Sequence, residues 1–487
     1  MVDSRFHGLT TREFTNVPRA VEFIDLSYIG LIGTAPDADE TNWPLNEPVL
    51  ITGQSSLPEG LGLSGTIPDA LDAIWDQANA TIVVVRVEEV LDEGELDVTA
   101  TMWNILGNRL QLTGAHALRK SESMFSIVPR ILIASGFTAV RPTDGVASVT
   151  ISAGGSGYDR ENPPAITTTG GSGAGFSARA VVSVAGVVTA IIIENPGAGY
   201  SEAPTIAIAA PEDGDTATAT ATLGTVANPV GKELEAIAGP MRAMVVVDGP
   251  NTTNAAAVLA RQDYGTDRVM IVDPWCKIAK DGAIVTDPPS ARLAGLQVRV
   301  DQQRGFWHSP SNKQVLGILG TARPISHGWS DPNTDAEYLN DNEVSTIIRD
   351  RSSGGFLFWG NRTTSGDSVT AFWSVRRTSD VIVESVELAC RAFVDEPFSI
   401  DLLKNIGETA SAGLRRLVAR GATIGSRVWL DPAYNTPESF LIGEVYVSYD
   451  AEPAAPAEHI IFHYHRNTGY YTELARNAAR ELERLAL

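Results

Sequence analysis

The amino-acid sequence predicts a multidomain chain of α/β and α+β class. It reads as an N-terminal arm (1–20), a discontinuous α/β domain (21–142 and 229–335), an inserted all-β domain (143–228) and a C-terminal α+β domain ending in an arm (336–487). Three observations predict this. Apolar strand-like runs alternate with amphipathic helical stretches on both sides of a gap. The gap is rich in Gly, Ala, Thr and Val and has almost no helical pattern. Beyond residue 335, strand-like runs lead into two long helical patterns.

The first strand signal follows the arm in "EFIDLSYIGLIGTAP". "EPVLITG" predicts another strand, "IPDALDAIWDQA" a helix opened by Pro68, and "TIVVVRV" a strand buried on both faces, because its apolar run is continuous. The alternation stops at "PRILIASGF" and resumes in "GKELEAIAGP", "MRAMVVVDGP", "TTNAAAVLARQ" and "TDRVMIVDP". Inside the gap, "ASVTISAGGSGYDRENPPAITTT" returns as "TAIIIENPGAGYSEAPTIAIA", with Gly157-Tyr158 matched by Gly199-Tyr200, which predicts two β units packed on each other. Downstream, "EVSTIIRD" and "GGFLFWGNRT" read as strands and "FWSVRRTSDVIVESVELACRAF" as a helix. The next helix, "SIDLLKNIGETASAGLRRLVARG", spaces Leu402, Leu403, Ile406, Leu414, Leu417 and Val418 on one side and ends at Gly421. The spacer "AEPAAPAE" precedes "HIIFHYHRN", and "TELARNAARELERLAL" is a terminal amphipathic helix.

With 487 residues, 43% of them hydrophobic, the chain can bury a sizeable core. Its net charge of −22 repels nucleic acid, and no apolar run of the length that spans a bilayer is present, so neither nucleic-acid binding nor membrane insertion is expected. The N-terminus lacks the basic-then-apolar order of a signal peptide, and two distant cysteines, Cys276 and Cys390, suit a reducing compartment.

No motif points to catalysis or to a cofactor. The Gly-rich pieces "GLIGTAP" and "GGSGAG" lack the spacing of a phosphate loop, and there is no G-x-S-x-G and no H-E-x-x-H. His463 and His465 would lie about 6–7 Å apart on one face of a strand, within reach of one ion, but His459 would be about 13 Å away, and no acidic or thiol ligand adjoins them. They read as interface or surface histidines, with a metal site as the alternative. Lys404, Arg415, Arg416 and Arg420 stand out as basic residues on one helix of an acidic chain, either solvated or docked on an acidic partner.

The order of "LNDNEVSTIIRDRSSGGFLFWGNRT", "VRRTSDVIVESVELACRAFVDEP", "RLVARGATIGSRVWLDPAYNTPES" and "PAEHIIFHYHRN" closely resembles that of the tail sheath proteins of contractile bacteriophages. "YIGLIGTAPDAD", "PRILIASGF", "MRAMVVVDGP" and "PPSARLAGLQVRVDQQRGFWHSPSNKQV" fit the same family. The resemblance implies a sheath-type core whose subunits form hexameric rings stacked around a tail tube in the virion, assembled in the host cytoplasm. Contraction drives the tube through the host envelope, and the partners are other subunits, the tube, the baseplate and the tail terminator. It also implies arms that exchange strands between subunits. These map onto Arg12, Glu13, Phe14 and Thr15 at one end and His459, Ile460, Ile461, Phe462, His463, Tyr464 and His465 at the other. A C-terminal-domain helix would rest on the tube, with Lys404, Arg415, Arg416 and Arg420 as contacts, and the β insertion would face outward. A related sheath of a contractile bacteriocin or injection system, or a carbohydrate-binding adhesin built on the β repeat, are the alternatives.

Overall fold

The computed structural model describes residues 23–485; Arg12, Glu13, Phe14 and Thr15 lie outside them. The chain opens with strands β1 (Tyr28–Thr34) and β2 (Pro48–Ile51), helix α1 (Thr66–Trp75) and strand β3 (Thr81–Val87). Helix α1 starts two residues before Pro68, at Thr66, whose hydroxyl accepts the Thr34 N–H at 3.1 Å and ties the helix to the end of β1. The hairpin β4 (Leu91–Asp92) and β5 (Glu95–Leu96), helices α2 (Val98–Leu106) and α3 (Ser121–Phe125), and strand β6 (Ile131–Ile133) follow.

The next six strands, β7 (Gly145–Ala153), β8 (Ile166–Thr169), β9 (Ala174–Val182), β10 (Val188–Ala198), β11 (Thr205–Ile208) and β12 (Thr218–Gly224), form the β insertion. The chain enters and leaves it side by side, since Gly145 is the register partner of Gly224. The two repeats, β7–β9 and β10–β12, are interlaced rather than merely stacked. The first strand of each pairs with the last strand of the other (β7 with β12, β10 with β9), and the middle strands β8 and β11 pair together. The exchange closes a shared core of Tyr158, Val182, Val188, Ile206 and Ile208. Both G-x-G-Y turns use the left-handed region, with φ of 63° and 81° at Gly155 and Gly157 and of 63° and 73° at Gly197 and Gly199. A side chain at Gly199 would lie 2.4 Å from the Trp103 ring of α2, so the second turn rests on the host domain.

After the insertion come α4 (Pro229–Met241), β13 (Met244–Asp248), α5 (Asn254–Arg261), β14 (Val269–Val272), β15 (Cys276–Lys280), β16 (Ala283–Asp287), α6 (Pro289–Arg304), β17 (Lys313–Val315), β18 (Gly320–Thr321), α7 (Asp335–Asp341), β19 (Val344–Arg349) and β20 (Phe356–Trp359). Helix α4 is capped by Asn228, whose side chain accepts the Gly231 N–H. The main sheet runs β17-β20-β19-β14-β13-β6-β1-β3-β2. Its six parallel members, numbered by chain order, run 2-1-3-4-5-6, a doubly wound order. Ile82 and Val84 face one buried layer with α1 and α6, whereas Val83, Val85 and Val87 face the other with α2, α4 and α5, which is why β3 reads as a continuous apolar run.

Strands β19 and β20, expected to open the C-terminal domain, belong to this sheet: β19 pairs with β14 and β20 with β19. The domain boundary expected at 335 falls at the start of α7, and the sheet ends only after Trp359. The remaining elements are α8 (Trp373–Cys390), α9 (Ile400–Arg420), β21 (Thr423–Leu430), α10 (Pro437–Leu441), β22 (Val447–Pro453) and α11 (Gly469–Leu485). Ser399 caps α9, and Gly421 ends it with φ of 77°. Helices α8 and α9 and the β21–β22 pair share a core of Val381, Ile382, Leu414 and Leu417, which also takes in Leu26 and Phe23 from ahead of β1. Residues 456–487 form a separate unit.

Because its two ends are register partners, the insertion is removable. Joining Gly145 to Gly224 through an Asn-Gly turn, with 146–223 deleted, is expected to leave a folded, cooperatively melting subunit, lower in stability by about 1–3 kcal/mol from uncovering Trp103. Circular dichroism and thermal melting check this; an unfolded product would make the insertion part of the folding core.

Candidate assembly surfaces

In open α/β sheets, ligands sit beyond the carboxyl ends of the parallel strands. Here that position is filled by the chain itself. Asp248, at the end of β13, accepts hydrogen bonds from the Ser290 N–H (2.8 Å) and hydroxyl (2.9 Å) in the first turn of α6, from the Gly136 N–H (3.0 Å) and from the Thr138 hydroxyl (3.3 Å). The carboxylate thus pins α6 to β6 and β13. Burial outweighs these bonds and pushes its pKa up to about 6. Nearby, Asp273 is ion-paired with Arg323, and burial raises the Asp287 carboxyl to about 6 against the opposing pull of Arg292. Among the described residues no group of three or more His, Cys, Asp or Glu side chains is gathered as a metal site.

The amino ends of the same strands carry the junction with the C-terminal lobe. Arg130, Arg242 and Arg268 stand just ahead of β6, β13 and β14, and each meets a carboxylate of α8: Glu384 at 2.5 Å, Glu387 at 2.7 and 2.8 Å, and Asp380 at 2.8 and 3.0 Å. Arg376 adds bonds to Asp380 and Asp267. Deeper in, Arg377 of α8 holds Asp301 of α6 with two bonds, both side chains almost wholly buried, and also donates to the carbonyls of Leu26 and Phe306. These residues were not singled out from the sequence. The signal was there, in carboxylates at 380, 384 and 387 and arginines at 376 and 377, one charged stripe on a helix, but their partners are distant in sequence.

The four basic residues of α9 do not act as one set. At about 100° per residue, Lys404 and Arg415 lie within about 20° of each other, opposite the buried Leu402, Ile406, Gly413 and Leu417, and both point outward. Arg416 and Arg420 lie well round the helix, where their guanidinium groups stack 5.3 and 5.4 Å from the centre of the Phe23 ring. The histidine segment, with His459, Ile460, Ile461, Phe462, His463, Tyr464 and His465, carries no strand pairing, and all of 457–485 is exposed. The β21–β22 pair is a two-stranded sheet whose outer edges meet no further strand among the described residues.

Comparison with known proteins names the class to which this fold belongs. Residues 27–87 match the tail sheath protein Gp18 domain III N-terminal region, 205–364 the phage tail sheath protein central domain, and 365–465 the phage tail sheath C-terminal domain. The tail sheath protein of Burkholderia phage BcepMu is 30% identical over 500 residues, covering 95% of this chain and 97% of that protein. That of Escherichia phage P2 is 26% identical over 463 residues, 93% of each. The fold is shared with the contracted sheath complex of the PVC extracellular contractile injection system (TM-score 0.58, 15% identity, 96% of this chain and 100% of that one). It is shared equally with the contracted helical sheath of the anti-feeding prophage (TM-score 0.57, 15% identity, 96% and 100%). The chain belongs to the tail sheath protein family.

Two outcomes are expected. Arg377→Met should lower subunit stability by about 3–5 kcal/mol, since it leaves Asp301 buried and unpaired, whereas the exposed double variant Lys404→Glu, Arg415→Glu should stay within about 0.5 kcal/mol of the parent; urea unfolding compares them. The folded pKa of Asp248 is raised above its ordinary 3.8, so its favourable contribution is complete below about pH 4 and is lost as pH rises through about 6. The stability difference between the parent and Asp248→Asn should therefore move in the parent's favour by on the order of 3 kcal/mol from pH 7.5 to pH 4, a shift that vanishes if the carboxyl titrates normally.

Proposed function

We propose that this chain is the structural sheath subunit of a contractile phage tail, polymerising as stacked hexameric rings around a tail tube and contracting to drive the tube through the host envelope. The observation that carries this is the breadth of the likeness to the phage BcepMu tail sheath protein, 95% of one chain against 97% of the other. That breadth favours a sheath over a carbohydrate-binding adhesin, which would rest on 143–228 alone. A sheath of a phage-derived injection system remains the second reading, favoured by the shared fold with the PVC and anti-feeding-prophage sheaths.

In this reading the work is mechanical and needs no cofactor. An array held in a strained extended state relaxes by rigid-body rotation of folded subunits toward more buried contact, while flexible links keep it continuous. The segment 457–465, exposed and in no strand of its own chain, is suited to be such a link, added as a strand to the open edge of the β21–β22 sheet of another subunit. Arg12, Glu13, Phe14 and Thr15 would serve the same purpose at the other end. Lys404 and Arg415, pointing outward from α9, are the better-placed contacts for an acidic tube, with Arg416 and Arg420 engaged at Phe23. The C-terminal lobe would then face the tube and the β insertion the outside, in a particle completed by baseplate and tail terminator and assembled in the host cytoplasm.

A donated strand depends on its backbone. Ile461→Pro removes one ladder N–H and fixes φ, whereas His463→Ala with His465→Ala leaves every backbone donor in place. The proline variant is expected to remain a folded subunit that sediments slowly and forms no cylinders, and the double alanine variant to polymerise, as seen by sedimentation and negative-stain microscopy. Assembly lost with alanine, restored by zinc and intact with proline would replace strand donation by a metal site.

A further inference from the structure

Helix α11 is sharply two-sided. At about 100° per residue, Tyr471, Leu474, Ala475, Ala478, Leu482 and Leu485 fall within an arc of about 100°, with Glu473, Arg476, Arg480 and Arg484 opposite. The apolar stripe is uncovered: Leu474, Leu482 and Leu485 are 63, 67 and 84% exposed. A helix of this length holds little structure in water unless its apolar face is buried. The family match ends at residue 465, so the sheath C-terminal domain model does not account for α11.

The charge pattern points to what covers it. Residues 456–487 hold four acids and four arginines, so the whole net charge of −22 resides in the first 455 residues. A neutral arm is the part of this chain that can approach another strongly acidic copy without Coulomb repulsion. The C-terminal lobe offers a matching surface. Phe398, Ile400, Leu441 and Ile442 are exposed, and the Phe398 and Phe440 rings join the two segments with centroids 5.2 Å apart. The patch includes α10, in the connection from Leu430 at the end of β21 to Val447 at the start of β22, and so lies at that end of the two-stranded sheet.

We propose that α11 docks its apolar stripe on a second copy of this chain, against the patch of Phe398, Ile400, Leu441 and Ile442. This rests on the strand-donation reading above: a strand added antiparallel to β22 would run toward the patch and deliver α11 there after Arg466, Asn467 and Thr468. The helix then acts as an anchor beyond the strand. Because the stripe and the patch are different surfaces, each copy can receive one arm and donate its own to a further copy, so the contact can propagate along an array.

The test is the critical concentration for polymerisation of the full-length protein, measured by sedimentation. Leu474→Asp with Leu482→Asp, and separately Leu441→Asp with Ile442→Asp, are expected to raise it about tenfold or more. Asn477→Asp with Arg480→Ser makes the same charge change on the polar face and should leave it within about twofold. All mutated side chains except Asn477 and Arg480 are apolar and exposed in the subunit, so thermal melting of unassembled protein should not change. Unchanged assembly in the stripe variant overturns the proposal, and if Ile461→Pro still abolishes assembly in the same experiment, strand donation survives without it. Stripe variants that weaken assembly while patch variants do not would overturn the receiving surface. A parent protein that forms no polymer would overturn both readings.

Discussion

The junction at α8 is the constraint on which the rest of this subunit depends. Three arginines at the amino ends of adjacent strands face three carboxylates on one helix, and the buried Arg377–Asp301 pair locks the same helix to α6. A surface ion pair contributes little, but a bidentate pair with both members buried is costly to break from either side. Registration between the lobe and the sheet is therefore set by charge geometry, where an apolar seam would permit sliding. Helix α6 is in turn pinned by Asp248, so one chain of polar contacts runs from the carboxyl ends of the sheet, along α6, to the lobe.

This arrangement divides the molecule by mechanical character. The sheet, its two layers of helices and the lobe are knit by buried apolar cores and buried ion pairs. The segment 457–485 is exposed throughout. A polymer that must keep its connections while its subunits rotate needs both kinds of material, and the proposed division of labour assigns rotation to the first and connection to the second. Charge follows the same division, with an acidic body and a neutral arm.

The β insertion shows how an added element can be accommodated without disturbing the host. Its ends are register partners, so the host sees a single loop position, and its repeats close each other's cores by exchanging outer strands. It rests on the host through the second G-x-G-Y turn against Trp103, through Gly175 of β9 close to Leu106 of α2, and through the Asn195 amide bonded to the Pro229 carbonyl and Glu233.

Sequence alone determined what depends on local periodicity and short-range chemistry. The doubly buried strand at 81–87, helices α8, α9 and α11, the Gly421 stop and the paired G-x-G-Y turns were all legible, because each is encoded within a few residues by apolar spacing or by a glycine's left-handed φ. The family resemblance was legible for a related reason, as several long motifs kept their order. Only the tertiary structure decided which elements share a sheet. Nothing local in β19 and β20 distinguishes membership of the large sheet from membership of the lobe, since strand pairing is a long-range choice. The same holds for the interlacing of the repeats, for the arginine–carboxylate pairs that tie α8 to the rest of the chain, whose members lie 76 to 254 residues apart, and for the split of α9's basic residues, where Phe23 claims Arg416 and Arg420 and leaves Lys404 and Arg415 outward. Those outcomes rest on distances between residues remote in sequence, which periodicity cannot encode.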